Sequence, residues 1–211
     1  MTATETVSQI LNAAGEVFAS KGFKETTVRE ICAAADANVA SINYHFGDKE
    51  RLYIETVKHA KNSLEAAVPL PEQIESVDPE NALRLFIETL AHRVLNPEVE
   101  SWKHELLVRE FMNPSKACQE MMEETIHPFM GSLHGILGRL MSENTPHYVI
   151  QQLAFSVISQ CVYYRLQNRL VTLLVDPKDI ENYYSPKMLA EHIYRFSVAA
   201  IRSYQSTEIN T

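Results

Sequence analysis

Apolar side chains return every three or four residues along most of the chain, the spacing of a helix that buries one face. Val7, Ile10, Leu11, Ala14 and Phe18 form one such stripe, within a helix predicted over about 5–21. Leu83, Phe86, Ile87, Leu90 and Val94 form a second over 80–95. Leu189, Ile193, Phe196, Ala200 and Tyr204 form a third over 187–204. The stretch 147–175 is apolar on more than one face, through Leu153, Ala154, Val157, Ile158, Cys161, Val162 and Leu166. That pattern predicts a helix buried on several sides. No alternating β-branched run and no Asn-Gly or Asp-Gly hairpin turn interrupts it. The fold class predicted is all-α, with about nine helices.

Polar punctuation sets the helix ends. Six of the nine prolines follow a residue able to cap a helix: Asp78-Pro79, Asn96-Pro97, Asn113-Pro114, Thr145-Pro146, Asp176-Pro177 and Ser185-Pro186. Proline loses nothing at the first helical position, and the residue before it can accept from the free N–H groups of the first turn. Each pair predicts a helix start. Residues 66–79 hold three prolines and little pattern, which places a domain boundary near 68. The expected domains are 1–68 and 69–211.

In the first domain the punctuation is dense. Gly22 can end the first helix in a left-handed conformation, with Phe23 packing back on it. Thr27-Val28-Arg29-Glu30 has the form of a capping box and opens a short second helix. Asn38 can cap a third, Val39–Phe46, which Gly47 ends; Asp48 then caps a fourth. Two short helices about a tight turn, over about 28–46, are the outline of a helix-turn-helix. The third helix has groove chemistry. Ala40 and Ser41 are small enough for close approach, Asn43 can read a base edge, and Tyr44, His45 and Lys49 can donate to phosphates. Competing readings stand beside these: Tyr44 packing on the first helix, Arg29 pairing with a neighbouring Glu, His45 acting as a cap. Val28, Ile31, Val39, Ile42 and Phe46 are expected in the core.

Composition narrows the function. The chain has 211 residues, 45% hydrophobic and 22% charged, enough for a packed core. No run approaches the ~20 apolar residues of a membrane crossing, and no export signal opens the sequence. Cys32, Cys118 and Cys161 are far apart, without a C-x-x-C, as expected of buried thiols in a cytoplasmic protein. Glu123 and His127 lie one turn apart but lack a third ligand, so no metal and no cofactor is expected. No nucleophile with its base, phosphate-cradling Gly loop or carboxylate pair points to an enzyme. The net charge is −8, with 19 Lys+Arg against 27 Asp+Glu. Residues 1–68 carry 7 basic and 9 acidic residues, net −2; residues 69–211 carry 12 and 18, net −6. This excludes an indiscriminate nucleic-acid binder but permits a selective one.

The run Ile42-Asn43-Tyr44-His45-Phe46-Gly47-Asp48-Lys49-Glu50-Arg51-Leu52, with Ala13-Ala14, Phe18, Gly22-Phe23 and Thr26-Thr27 upstream, resembles the DNA-binding domain of the TetR/AcrR family of transcriptional repressors. The resemblance covers roughly residues 5–63. It implies DNA contacts from Thr27, Arg29, Asn38, Ala40, Ser41, Asn43, Tyr44, His45 and Lys49. One departure is Asp36, where the family usually has Gly in the turn; Asp tolerates the left-handed conformation better than most residues. Further on, Ser101-Trp102, Leu107-Val108-Arg109-Glu110, Asn113-Pro114-Ser115, Ile126-His127-Pro128 and Gln160-Cys161-Val162-Tyr163-Tyr164 resemble the CecR-like branch. That implies a C-terminal domain that senses a small-molecule effector and dimerises. The candidate effector contacts are Trp102, Arg109, His127, Met130, Gln160 and Tyr164, each with plain packing as the competing reading. For Arg109 the competitor is an internal ion pair with Glu110, Glu105 or a Glu of another helix. Pro128 should bend its helix and open a pocket. The homodimer is expected to form through about 147–175 and 187–204, with double-stranded operator DNA as the other partner. A bundle-borrowing enzyme would need a nucleophile that is not found, and a pure scaffold would leave the Asn43-Tyr44-His45 cluster unexplained.

Overall fold

The computed structural model describes residues 3–96 and 101–208, and every regular element among them is helical. Twelve α-helices, one 3-10 turn and one π turn stand where about nine helices were predicted, because long runs break. The predicted 147–175 helix is two, α9 (His147–Leu166) and α10 (Asn168–Leu174), divided at Gln167 with φ −108° and ψ 21°. Upstream, α7 (Lys116–Met121) leads into a π turn (Met122–Ile126) and then α8 (His127–Leu140). Pro128 has no N–H to contribute to α8, and the π turn ahead of it takes up the irregularity.

Three of the six proline pairs open helices with their caps formed. Asp78 accepts from the Asn81 amide at 2.9 Å to start α5 (Pro79–Leu95). Asp176 accepts from Lys178 at 2.8 Å to start α11 (Pro177–Tyr183), and Ser185 from Met188 at 3.3 Å to start α12 (Pro186–Glu208). Two pairs behave differently. After Asn113-Pro114 the cap is Ser115, whose hydroxyl accepts from Ala117 at 3.0 Å. Thr145 is bonded to Ser142 at 3.2 Å instead of capping α9, and Pro146 sits at the N-cap. The predicted start at Asn96-Pro97 lies partly outside the described residues; Asn96 itself closes α5.

Two compact units result, Met1–Ala66 with Pro97–Glu124, and Ala67–Asn96 with Thr125–Thr211. A boundary near 68 divides the chain once; the packing divides it three times, and Pro97–Glu124 groups with the N-terminal unit.

The first unit holds α1 (Ala3–Glu25), α2 (Val28–Ala34), α3 (Val39–Phe46), α4 (Lys49–Ala67), α6 (Ser101–Met112) and α7. The stripe on α1 is buried as predicted at Ile10, Leu11, Ala14 and Phe18. Burying each of the Ile, Leu and Phe side chains stabilises the fold by roughly 1.5–3 kcal/mol. Phe18 meets Tyr53 edge-on at 4.9 Å, and Phe23 lies 5.1 Å from the same ring. Gly22 breaks α1 with φ +81°, the conformation that favours glycine. At Gly15 the reason is different: a Cβ there would lie 2.1 Å from the Trp102 indole, so α6 approaches α1 closely only because that side chain is missing.

In the second unit α5 is central, burying Ala82, Leu83, Phe86, Ile87, Leu90 and Ala91. Leu133 and Leu137 of α8, Leu153, Ala154 and Val157 of α9, and Ile193 and Ile201 of α12 complete its core. Phe129 lies tilted against Phe86, with ring centres 4.6 Å apart. On α12 the buried positions are Leu189, Ala190, Ile193, Ser197, Val198 and Ile201, so Phe196 (59% exposed) and Tyr204 (42%) belong to the other face, contrary to expectation. The same holds for α9. One face is core; the other exposes Tyr148, Phe155, Tyr163 and Leu166. All three cysteines are buried free thiols, and burial pushes Cys161 up to about 12 and raises Cys118.

Candidate nucleic-acid interface

Local sequence builds the first unit's polar edge. Thr27 and Glu30 form the full capping box: the Thr27 amide donates to Glu30 Oε2 at 2.8 Å, and the Glu30 amide to Thr27 Oγ1 at 3.3 Å. The Lys21 ammonium beside Glu30, together with the Thr27 donors, holds that carboxyl down at about 2. Between α2 and α3, Asp36 adopts φ +46°, carrying the left-handed turn without glycine. Gln9 on α1 donates to the Ala35 carbonyl at 2.9 Å and fixes the turn to the core. Asn38 then caps α3, accepting from Ser41 at 2.8 Å; Gly47 closes it with φ +79°; Asp48 caps α4, accepting from Arg51 at 2.8 Å. An eight-residue helix is too short to persist alone, so these caps and the burial of Ile42 and Phe46 are what hold it.

The other side of α3 faces solvent. Val39, Ala40, Asn43, Tyr44 and Gly47 are exposed and, at ~100° per residue, fall within an arc of roughly 140°. Tyr44 is 84% exposed, which removes the reading in which it packs on α1; its ring meets His45 edge-on at 5.0 Å. Val39, expected in the core, is 44% exposed and lies on this arc, because α3 turns only positions 42 and 46 fully inward. Ser41 and His45 are half-buried at its flanks.

Cations about this edge divide into engaged and free. Lys49 donates to the Thr26 carbonyl at 2.7 Å and lies 4.5 Å from the centre of the Phe23 ring, bracing α4 against the end of α1. Lys21 is paired with Glu30. Arg29 is exposed and makes no ion pair among the described residues, so its pairing with a neighbouring Glu is not seen; Lys24, which the sequence reading passed over, is equally unengaged. Of the nine predicted DNA contacts, Thr27, Asn38 and Lys49 have structural work within the unit. Arg29, Ala40, Asn43 and Tyr44 are open to a partner.

The six predicted effector contacts do not come together. Trp102 and Arg109 belong to the first unit: Trp102 is buried against Gly15, and Arg109 donates to the Ala19 carbonyl at 3.0 Å. The competing ion pair of Arg109 with Glu110, Glu105 or a Glu of another helix is not seen among the described residues. Glu110 instead is buried and accepts from Tyr53 Oη at 2.7 Å, from the Ser115 amide at 2.7 Å and from the Cys118 amide at 3.1 Å. Burial and this carboxylate raise the Tyr53 hydroxyl well above its ordinary value. In the second unit His127 is exposed, while Met130 packs at the edge of the core. Gln160 and Tyr164 do meet, one turn apart on α9, where with Ser159 and Tyr163 they line an open depression of about 290 Å³. Tyr164 also meets Tyr184 edge-on at 6.0 Å. A second void of about 20 Å³, against Phe196, Val157 and Leu137, is water-sized. No cluster of three or more His, Cys, Asp or Glu able to hold a metal occurs among the described residues, and no helix among them is long and apolar enough to cross a membrane.

Comparison with known proteins agrees with this geometry. Residues 10–56 match the bacterial regulatory proteins of the tetR family, and residues 79–201 match the C-terminal domain of the HTH-type transcriptional dual regulator CecR. A curated relative, the HTH-type transcriptional repressor NicS of Pseudomonas putida, is 37% identical over 85 residues; the aligned part is 40% of this chain and 40% of that protein. Among solved structures, a TetR-like transcriptional regulator from Rhodococcus sp. RHA1 superposes with a TM-score of 0.64 at 15% identity, covering 93% of this chain and 96% of that one. HlyIIR, a hemolysin II transcriptional regulator, gives 0.62 at 20% identity, covering 92% and 97%. These likenesses show the fold. With a CecR-type match over more than half its length and a tetR-type reading head before it, the chain belongs to the TetR family of DNA-binding transcriptional regulators, which are not enzymes.

Proposed function

We propose that this protein is a cytoplasmic homodimeric repressor whose α3 enters the major groove of operator DNA and is released by a small-molecule effector. The observation that carries the reading is the exposed arc of α3, capped at both ends and contributing little to packing. Asn43 presents an amide to base edges, Tyr44 a hydroxyl and Arg29 a guanidinium to phosphates. NicS, named as a repressor, supports the sign of the regulation. Gel shift against the DNA upstream of the protein's own coding sequence tests it. Arg29→Ala with Tyr44→Ala should bind about tenfold more weakly at fixed salt, roughly 1.4 kcal/mol, with helix content unchanged. Equal affinity of variant and parent overturns the assignment of α3.

The dimer reading rests on the uncovered apolar faces of α9 and α12, which carry Tyr148, Phe155, Met188 and Phe196. Two such helices from each copy make a four-helix interface of self-complementary type. Phe155→Asp should sediment as a monomer where the parent is dimeric; a dimeric variant moves the interface elsewhere. The effector is assigned to the second unit, at the aromatic depression of Gln160, Tyr163 and Tyr164. Burial raises the Tyr164 hydroxyl above its ordinary value there. Coupling is reciprocal: an effector that weakens DNA binding itself binds less well to the DNA-bound form.

A further inference from the structure

We infer that α3 selects A·T pairs, with Val39 reading the C5-methyl group of thymine at the core of each half-site. The inference rests on the operator reading above and adds the chemistry of the bases. The exposed arc of α3 holds Val39, Ala40, Asn43 and Tyr44 and not one Arg, Lys, Gln, Asp or Glu. Guanine is usually read by a forked or cationic donor against O6 and N7, and cytosine by a carboxylate accepting from N4. Neither group is on this arc. What the arc does offer is complementary to the remaining pair. Asn43 can bond adenine N6 and N7 together, and an apolar side chain can cover the thymine methyl.

The placement of Val39 supports this role. It is the first residue of α3, and the N-terminal residues of a recognition helix are the ones that reach base edges. Packing does not account for it: Ile42 is 0% and Phe46 8% exposed, whereas Val39 keeps 44% of its surface open. Ala40 beside it adds no bulk that would hold the helix off the groove floor. Val39 and Asn43 are four residues apart, hence one turn apart on the same face. That spacing lets them address neighbouring pairs.

The test uses the full-length protein and a pool of duplexes with a randomised centre. Selection should enrich half-sites whose central contacted pairs are A·T. Each thymine of the selected duplex is then replaced singly by uracil, which removes only the C5-methyl. At one or two positions the parent should bind about three- to fivefold more weakly, the worth of one buried methyl. Val39→Ala should be weaker on the thymine duplex and indifferent to the same uracil; Val39→Thr, which keeps one methyl, should fall between. If every uracil duplex binds the parent as well as thymine does, or if G·C occupies the contacted pairs, the inference is overturned. In that event a selected sequence whose binding still needs Tyr44 leaves the operator reading intact. A pool that yields no enriched sequence removes both.

Discussion

The faces of α3 and α6 carry similar chemistry and use it in opposite ways. Both are short helices with adjacent polar residues that invite a functional role, Asn43-Tyr44 on one and Arg109-Glu110 on the other. On α6 the Arg109 and Glu110 side chains are engaged within the first unit: Arg109 on the Ala19 carbonyl, Glu110 on Tyr53 and two backbone amides. On α3 the Asn43 and Tyr44 side chains face water. A buried polar group must find partners inside or destabilise the fold, so its chemistry is no longer available to a ligand. Exposure with no internal partner, in a segment rigidly capped, leaves the chemistry free.

Substitutions on the two helices should separate stability from binding. The largest effect is expected from Glu110→Ala, which strands the Tyr53 hydroxyl and two amides and should lower unfolding free energy by about 3 kcal/mol in urea titration. A loss under 1 kcal/mol would mean that water replaces the carboxylate without difficulty. Tyr44→Ala, which weakens DNA binding in the double variant above, should leave the same titration within about 0.5 kcal/mol of the parent. A clear loss of stability there would erase the contrast between the helices. Smallest is the contribution of Glu30, an exposed cap. Its carboxyl falls from the ordinary 4.5 to about 2 on folding, so its stabilisation is complete above pH 4.5 and is lost as the pH drops towards 2. The difference in midpoint between the parent and Glu30→Gln should therefore shrink across that interval; a constant difference would assign the cap's effect to packing.

Much of the first unit was legible because its determinants are local. Thr27 with Glu30, Asn38 with Ser41 and Asp48 with Arg51 each act three residues apart, within the reach of a pattern read along the chain. The family resemblance places Asp36 in the turn, and its left-handed φ agrees with that position. Long-range choices were not legible. Nothing near Arg109 reveals that Ala19, ninety positions earlier, supplies its acceptor. Val39 reads as apolar and hence as core, since eight residues give too little periodicity to separate a solvent-facing valine from a buried one. On α9 the pattern shows more than one apolar face but not which of them the single chain covers, and on α12 the single stripe read from the sequence mixes buried with open positions; Phe155 and Phe196 lie on the faces left open. Lys49 fits a phosphate donor by type and position, yet its ammonium braces Thr26.

The three buried thiols make the molecule its own gauge of opening. Cys32 and Cys118 lie in the first unit and Cys161 in the second. A maleimide needs an accessible thiolate, and Cys161 is the most deeply buried of the three. Each thiol therefore reacts when its own surroundings part. Labelling times read by peptide mass would clock the first and second units separately, with no residue introduced, and would show which of the two loosens first when DNA or a candidate effector is added.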